Sequence, residues 1–228
     1  MSDEENNENN ENIIKIVLLG EQFVGKTCLI NAYCQNKFLE NVHNTISASS
    51  MSKDIETSRG KFCLKIWDTA GQEKFRCLNK IFIKDSQIVV FVYDITRKKT
   101  LEEIDYWYNY AEECLGKDKA VYGIVGNKID LFDKENEIRE KYKDIINIEY
   151  VNANDGKNYA KNIGAIFCET SAKENIIGFP EFITQLVEKY DLEKKPTEKI
   201  DSIKLEHKKK KKKKRKKSKK NFFCLKYN

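Results

Sequence analysis

Proline is almost missing from this 228-residue sequence (2), histidine is as scarce (2), and glycine is modest (10). That excludes collagen-like and proline-rich low-complexity classes. The cysteines Cys28, Cys34, Cys63, Cys77, Cys114, Cys168 and Cys224 are odd in number, scattered and without a C-x-x-C pair. With only His43 and His207 beside them, neither a disulfide scaffold nor a zinc site of recognisable spacing can be built. Most lie in apolar stretches and read as small buried hydrophobes of a reducing cytosol. No apolar run approaches the roughly 18 residues that a spanning helix requires. The acidic, Asn-rich start MSDEENNENNEN resembles neither a signal nor a transit peptide, so the expectation is a protein made and kept in the cytosol.

Charge is abundant but unevenly placed. The formal net charge is +6, yet residues 208–228 hold 13 Lys+Arg and no acid, leaving 29 Lys+Arg against 36 Asp+Glu in residues 1–207. A mildly acidic body argues against a nucleic-acid partner, which would need positive charge spread over a folded face. With 40% hydrophobic residues there is enough apolar material for one sizeable core.

The boundaries read as a disordered arm over 1–12, one domain over 13–193, and a flexible tail over 194–228. Apolar runs at 13–19, 62–67, 88–93, 121–126 and 165–168 are short and apolar nearly throughout, as in strands covered on both faces. Between them, Leu101, Ile104, Trp107, Tyr108, Ala111, Cys114 and Leu115 recur at helical spacing. A last helix over 180–192 presents Phe182, Ile183, Leu186, Val187 and Tyr190 on one side. Alternating strands and helices predict an α/β fold, a mostly parallel sheet with helices on both faces, whose ligands gather at the carboxyl ends of the strands.

The first strand leads into Gly20-Glu-Gln-Phe-Val-Gly25-Lys26-Thr27, a complete G-x-x-x-x-G-K-[ST] between strand and helix. Glycines there let backbone N–H groups wrap phosphate oxygens at the positive end of a helix. Lys26 is expected on the β- and γ-phosphates and the Thr27 hydroxyl on Mg²⁺, with Gln22, Val24 and Cys28 completing the loop's contacts. The motif does not separate ATP from GTP. Asn127-Lys128-Ile129-Asp130 does: a carboxylate at Asp130 can accept from both the N1–H and the exocyclic amine of guanine, a pair adenine lacks. Ser171-Ala172-Lys173, after the next strand, can offer a backbone N–H to the guanine carbonyl. In Trp67-Asp68-Thr69-Ala70-Gly71-Gln72-Glu73, Asp68 is expected to hold Mg²⁺ through water. Gly71 would bring an N–H to the γ-phosphate, and Gln72 would orient the attacking water.

Together with E-T-S-A-K at 169–173 and D-I-T at 94–96, these motifs resemble the Ras superfamily of small GTPases, in its Rab branch, over 13–193. YCQNKF at 33–38 is most similar to the early-endosomal Rabs. The resemblance implies a P-loop small-GTPase domain with a six-stranded sheet, and a GTP/GDP switch that hydrolyses GTP with Mg²⁺. It implies that Phe38 stacks on the guanine. It also implies that Thr45, eighteen residues after Thr27, coordinates Mg²⁺ with GTP bound. Segments 39–50 and 71–84 then correspond to the two switches. Implied partners are an exchange factor, a GTPase-activating protein, a GDP-dissociation inhibitor and effectors, around a monomer.

Departures from the family pattern carry their own expectations. Gln22 and Phe23 are larger than usual and predict slow, activator-resistant turnover, with a non-hydrolysing GTP-binding scaffold as the alternative. Ser50 replaces an aromatic of the effector surface while Trp67 and Phe82 remain, so either effector choice is unusual or the position has drifted. The charged stretch at about 132–152 reads as an insertion, a solvated extension or a partner site. In the tail, twelve of residues 208–220 are basic and Phe222-Phe223-Cys224-Leu225 follow. The expected address is an anionic membrane surface, with Cys224 lipidated beside the basic run. Cys224 is not in a C-a-a-X box, which leaves prenylation, acylation or no lipid open, and nuclear import through the lysine run is the competing reading. The expected location is the cytoplasmic face of an endomembrane, endosomal, with a cytosolic pool.

Overall fold

A computed structural model describes residues 12–40, 45, 48–69, 76–132, 150–174 and 176–194. The elements run β1 (Asn12–Leu19), α1 (Lys26–Gln35), β2 (Ser49–Thr57), β3 (Gly60–Asp68), α2 (Arg76–Ile83), β4 (Ile88–Asp94), α3 (Lys98–Glu102), α4 (Ile104–Leu115), β5 (Val121–Asn127), α5 (Ala153–Asn162), β6 (Ile166–Thr170) and α6 (residues 179–194). The strands form one six-stranded sheet in the order β2-β3-β1-β4-β5-β6. Only β2 runs antiparallel, against β3; the other pairs are parallel.

Every side chain of β4 and of β5 is buried, which is why both read as unbroken apolar runs. Alternate residues of each strand feed two cores. Ile14, Ile16, Leu18, Val90, Val92 and Val125 meet Leu29, Ile30 and Tyr33 of α1 and Phe182, Ile183 and Leu186 of α6 on one face. Val17, Leu19, Val89, Phe91 and Ile124 meet Ile104, Trp107 and Ala111 of α4 and Ala160 of α5 on the other. The expected helical stripe is therefore core, though the helix is interrupted: α3 ends at Glu102, and Glu103 separates it from α4.

β2 is the strand that hydrophobicity alone misses. Its sequence SSMSKDIET alternates exposed and half-buried positions because it is the sheet's edge, with one flank unpaired. Its register sets Ser50 opposite Trp67, whose ring lies 5.3 Å from that of Phe82. The two ends of the stretch that the sequence reads as a charged insertion meet in a closed neck. Phe132 and Tyr150 meet edge-to-face at 5.8 Å and the Tyr150 hydroxyl donates to Leu131 O (3.0 Å). Residues 133–149 of the insertion lie outside the described residues.

The strand order reverses at β1, with β3 on one side and β4 on the other, and the loop after β1 opens at that switch point. No helix among the described residues is long and apolar enough to cross a membrane.

Candidate nucleotide-binding site

The loop from Gly20 to Gly25 can take its shape only with glycine at both ends. Gly20 has φ 144° and a Cβ there would meet Val92 O at 2.2 Å; Gly25 has φ 97° and its Cβ would meet Asn127 Nδ2 at 2.3 Å. Between them Phe23 adopts φ 63°, a left-handed conformation that a bulky side chain seldom tolerates, with its ring 59% exposed. Gly25 is the N-cap of α1 and makes no side-chain cap, so the first-turn N–H groups of α1 face the loop.

A cavity of about 370 Å³ opens above this loop. Gln22, Phe23, Gly25, Lys26, Thr27, Cys28, Phe38 and Thr45 line it from one side, and Asn127, Lys128, Asp130, Ala172 and Lys173 from the other. Lys26 is buried and donates to Gly20 O (2.8 Å) and Glu21 O (2.9 Å). Burial pushes its ammonium down to about 8, against the opposing pull of Asp68. Burial likewise raises the Cys28 thiol, which lies 3.7 Å from Leu39 O, so Cys28 is a protonated wall of the cavity. The Val24 side chain is fully buried in the core, and its part in the loop is a backbone one.

Three oxygen-bearing side chains converge below the cavity. Thr27 Oγ1 donates to Asp68 Oδ2 (2.7 Å) and lies 3.0 Å from Thr45 Oγ1. The other carboxylate oxygen, Asp68 Oδ1, is buried with no hydrogen-bond partner. Burial holds the Asp68 carboxyl above its ordinary range, partly offset by Thr27. An orphaned carboxylate oxygen beside two hydroxyls is a donor set that suits a hard divalent cation such as Mg²⁺.

The far wall is tied to the loop by one side chain. Asn127 Nδ2 donates to Val24 O (2.8 Å) and Asn127 Oδ1 accepts from the Ala172 N–H (3.1 Å). Of the three amides that Ser171-Ala172-Lys173 could offer to a base, that of Ala172 is thus engaged with Asn127. Asp130 is buried with only 9% exposure, and Ser171 Oγ donates to its Oδ1 (2.6 Å); the Lys173 N–H donates to the same serine oxygen (3.1 Å). Lys128 Nζ donates to Asp94 Oδ2 (2.7 Å).

The described members of the expected set are therefore brought together: Gly20, Gln22, Val24, Gly25, Lys26, Thr27, Cys28, Phe38, Thr45, Asp68, Asn127, Lys128, Asp130, Ser171, Ala172 and Lys173. Gly71, Gln72 and Cys224 lie outside the described residues.

Comparison with known proteins agrees with this fold. The model of the Ras family matches residues 15–212. The chain belongs to the Ras family. It is 38% identical to human Ras-related protein Rab-21 over 161 residues, covering 71% of this chain and 65% of that protein. To human Ras-related protein Rab-22A it is 36% identical over 173 residues, covering 76% of this chain and 81% of that protein. A sponge relative, the Rab-21 of Geodia cydonium, is 39% identical over 161 residues and 64% of its own length. The chain thus spans somewhat less than two thirds of the Rab-21 relatives it matches.

Within this Ras-family domain, sequence reasoning missed the role of Asp94. It is 1% exposed and accepts from Lys128, from Arg97 Nε (3.1 Å), and from the N–H (2.9 Å) and hydroxyl (2.7 Å) of Thr96. Burial raises its carboxyl, but Lys128 and these hydrogen bonds outweigh it, so the folded value lies below the ordinary 3.8. A carboxyl depressed on folding stabilises the native state above its unfolded pKa, and that contribution is lost as pH falls through the folded value. Asp94→Asn should cost about 1–3 kcal/mol near neutrality. The difference from wild type should stay flat between pH 5 and 7 and shrink below about pH 4. Urea unfolding across that range measures it; a difference that does not change with pH would remove the charge from this account.

Proposed function

We propose that the chain is a Rab-type GTP/GDP switch that hydrolyses GTP to GDP and phosphate with Mg²⁺. The observation that carries this reading is the buried carboxylate of Asp130, held by Ser171 on the wall opposite the phosphate loop of one cavity. Such a carboxylate matches the paired donors of guanine, and a base without them would leave it unsatisfied. Phe38, 37% exposed on the cavity wall, offers a face for the base. Lys26 and the α1 amides carry the phosphates. Thr27, Thr45 and Asp68 would hold Mg²⁺, which when bound would offset the negative charge that develops on the phosphate oxygens. Gln72 orients the attacking water and the Gly71 N–H meets the γ-phosphate, by their place in the D-T-A-G-Q motif.

The output is effector binding in the GTP state, with guanine-nucleotide exchange factors, activating proteins and a dissociation inhibitor as regulators of a monomer. The ligand must contact the two switch conformations differently for a population shift to occur. Thr45, bonded to Thr27, is the first-switch residue that could report the γ-phosphate. On the adjoining face the Trp67 and Phe82 rings lie 5.3 Å apart and tilted, while exposed Ser50 leaves the third position of that surface small, which favours an unusual effector. The role is vesicle trafficking on the cytoplasmic face of an endosomal membrane, with a cytosolic pool. The basic run at 208–220 and a lipid on Cys224 supply the two signals that stable anchoring needs.

The scaffold reading keeps one observation in its favour. Phe23 is 59% exposed at the cavity rim, next to Gln22, the side chain that would crowd an activator's arginine. Slow turnover is accordingly expected, and phosphate release in a single-turnover assay separates the two readings: measurable release supports the switch, and none supports the scaffold. Asp130→Asn should weaken GDP binding by at least ~100-fold, the scale of lost hydrogen bonds to a charged acceptor, and favour xanthine nucleotide instead. Retained guanine preference in that variant would refute the assignment. Cys224→Ser should move the protein from membranes to cytosol; an unchanged membrane pool would end the lipid-anchor reading.

A further inference from the structure

The phosphate loop is stapled to the sheet at two carbonyls, one on each side of Phe23. Asn127 Nδ2 holds Val24 O at 2.8 Å, as the motif containing it would suggest. Gln22 O is held by Arg97 Nη2 at 3.0 Å, from a residue in the turn between β4 and α3 that belongs to none of the nucleotide motifs. The carbonyl of Gln22 is half of the peptide unit that ends at Phe23, so the guanidinium fixes the orientation of that peptide. It does so where the chain most resists: Phe23 has φ 63°, and a non-glycine residue in the left-handed region persists only if its surroundings hold it there.

Arg97 is itself rigidly mounted. Its Nε donates to Asp94 Oδ2, the same oxygen that accepts from Lys128 Nζ. Its backbone N–H donates to Asp94 O (3.0 Å), and its carbonyl accepts from the Thr100 N–H (2.9 Å) and hydroxyl (2.7 Å). A planar guanidinium can serve the carboxylate and the loop carbonyl at once, which a lysine ammonium on a flexible stem does less well. The Arg97 side chain is one-third exposed (34%) while the Asp94 side chain is 2% exposed, so the anchor is buried and the reach is along the surface of the site.

We propose that Arg97 is a positioning residue for nucleotide retention: anchored on Asp94, it holds the strained Gln22–Phe23 peptide so that the loop amides stay aimed at the phosphates, in register with Lys128. This rests on the guanine-nucleotide reading of the cavity. Without the guanidinium, the peptide can turn to relieve Phe23, and the amides of Phe23 and Val24 leave their phosphate-facing orientation. With glycine at position 23 the left-handed conformation carries no penalty, and the loop keeps its shape without the tether.

The test is a cycle of GDP release rates, followed with a fluorescent GDP on the full chain, in wild type, Arg97→Ala, Phe23→Gly and the double variant. Arg97→Ala should release GDP roughly 10-fold faster in the Phe23 background, the scale of one hydrogen bond from a charged donor. In the Phe23→Gly background the same substitution should change the rate less than about 3-fold, a non-additivity that marks coupled residues. Equal effects in both backgrounds, or no effect of Arg97→Ala, would overturn the proposal. If Arg97→Ala fails to fold, Arg97→Lys keeps the charge beside Asp94 without the fork, and the same comparison of backgrounds decides. If wild type binds no guanine nucleotide, the proposed function fails but the tether is still readable. Hydrogen exchange at the Phe23 and Val24 amides of the nucleotide-free chain should be faster in Arg97→Ala, and equal exchange would refute it.

Discussion

The side-chain amide of Asn127 is the interaction on which the site depends. It donates to the phosphate loop at Val24 O and accepts from the loop after β6 at the Ala172 N–H. Two segments far apart in sequence are thereby fixed to the end of β5. The same amide dictates the glycine beneath it, since a Cβ at Gly25 would fall 2.3 Å from Asn127 Nδ2. A buried amide with both ends engaged has little freedom to rotate, and moving it would strand polar groups on both neighbours. The walls for base and phosphate are thus held at a fixed separation before any ligand arrives.

That rigidity is inherited from the sheet. β4 and β5 are buried along their whole length and pair in parallel from Ile88–Val121 to Asp94–Asn127, so Asp94 and Asn127 emerge side by side at the carboxyl edge. Asp94 organises the charged side of the site through Lys128 and Arg97, as Asn127 organises the neutral side. The two cores behind them, one under α1 and α6 and one under α4 and α5, give the edge a support that a loop-built site would lack. Thr27 in α1 and Asp68 at the end of β3 belong to this frame, and Thr45 meets it through the Thr27 hydroxyl. Such a contact can change when the chemistry of the ligand changes.

Much of this was legible before any coordinates. The strands at 88–93 and 121–126 are legible because burial on both faces leaves only apolar residues, those at 13–19, 62–67 and 165–168 because their fully buried positions are all apolar, and the α4 stripe because one helical face is core. β2 escaped for the converse reason: an edge strand with one unpaired flank keeps polar residues such as Ser52, Lys53 and Asp54. The site residues were legible where a motif fixes both residue type and spacing, as for Gly20 to Thr27 and Asn127 to Asp130. Arg97 gave no such signal. A single cation in a turn reads as solvated surface, and its partner is a backbone carbonyl 75 residues away, which no side-chain pattern encodes. Asp94 is visible as part of D-I-T, but its work as a hub depends on Arg97, three residues on in the same turn, and on Lys128 arriving from the loop after β5.

The closed neck formed by Phe132, Tyr150 and Leu131 O has a consequence for how this domain can vary. Once the two ends of a segment are clamped together, doubling its length costs only about 0.6 kcal/mol more in closure entropy. The domain behind the neck is therefore insulated from the length and composition of what lies beyond it. This is a position where the lineage could lengthen, shorten or recompose the chain without disturbing Asp130 one turn away, a freedom that the phosphate loop, held at the carbonyls of Gly20, Glu21, Gln22 and Val24, does not have.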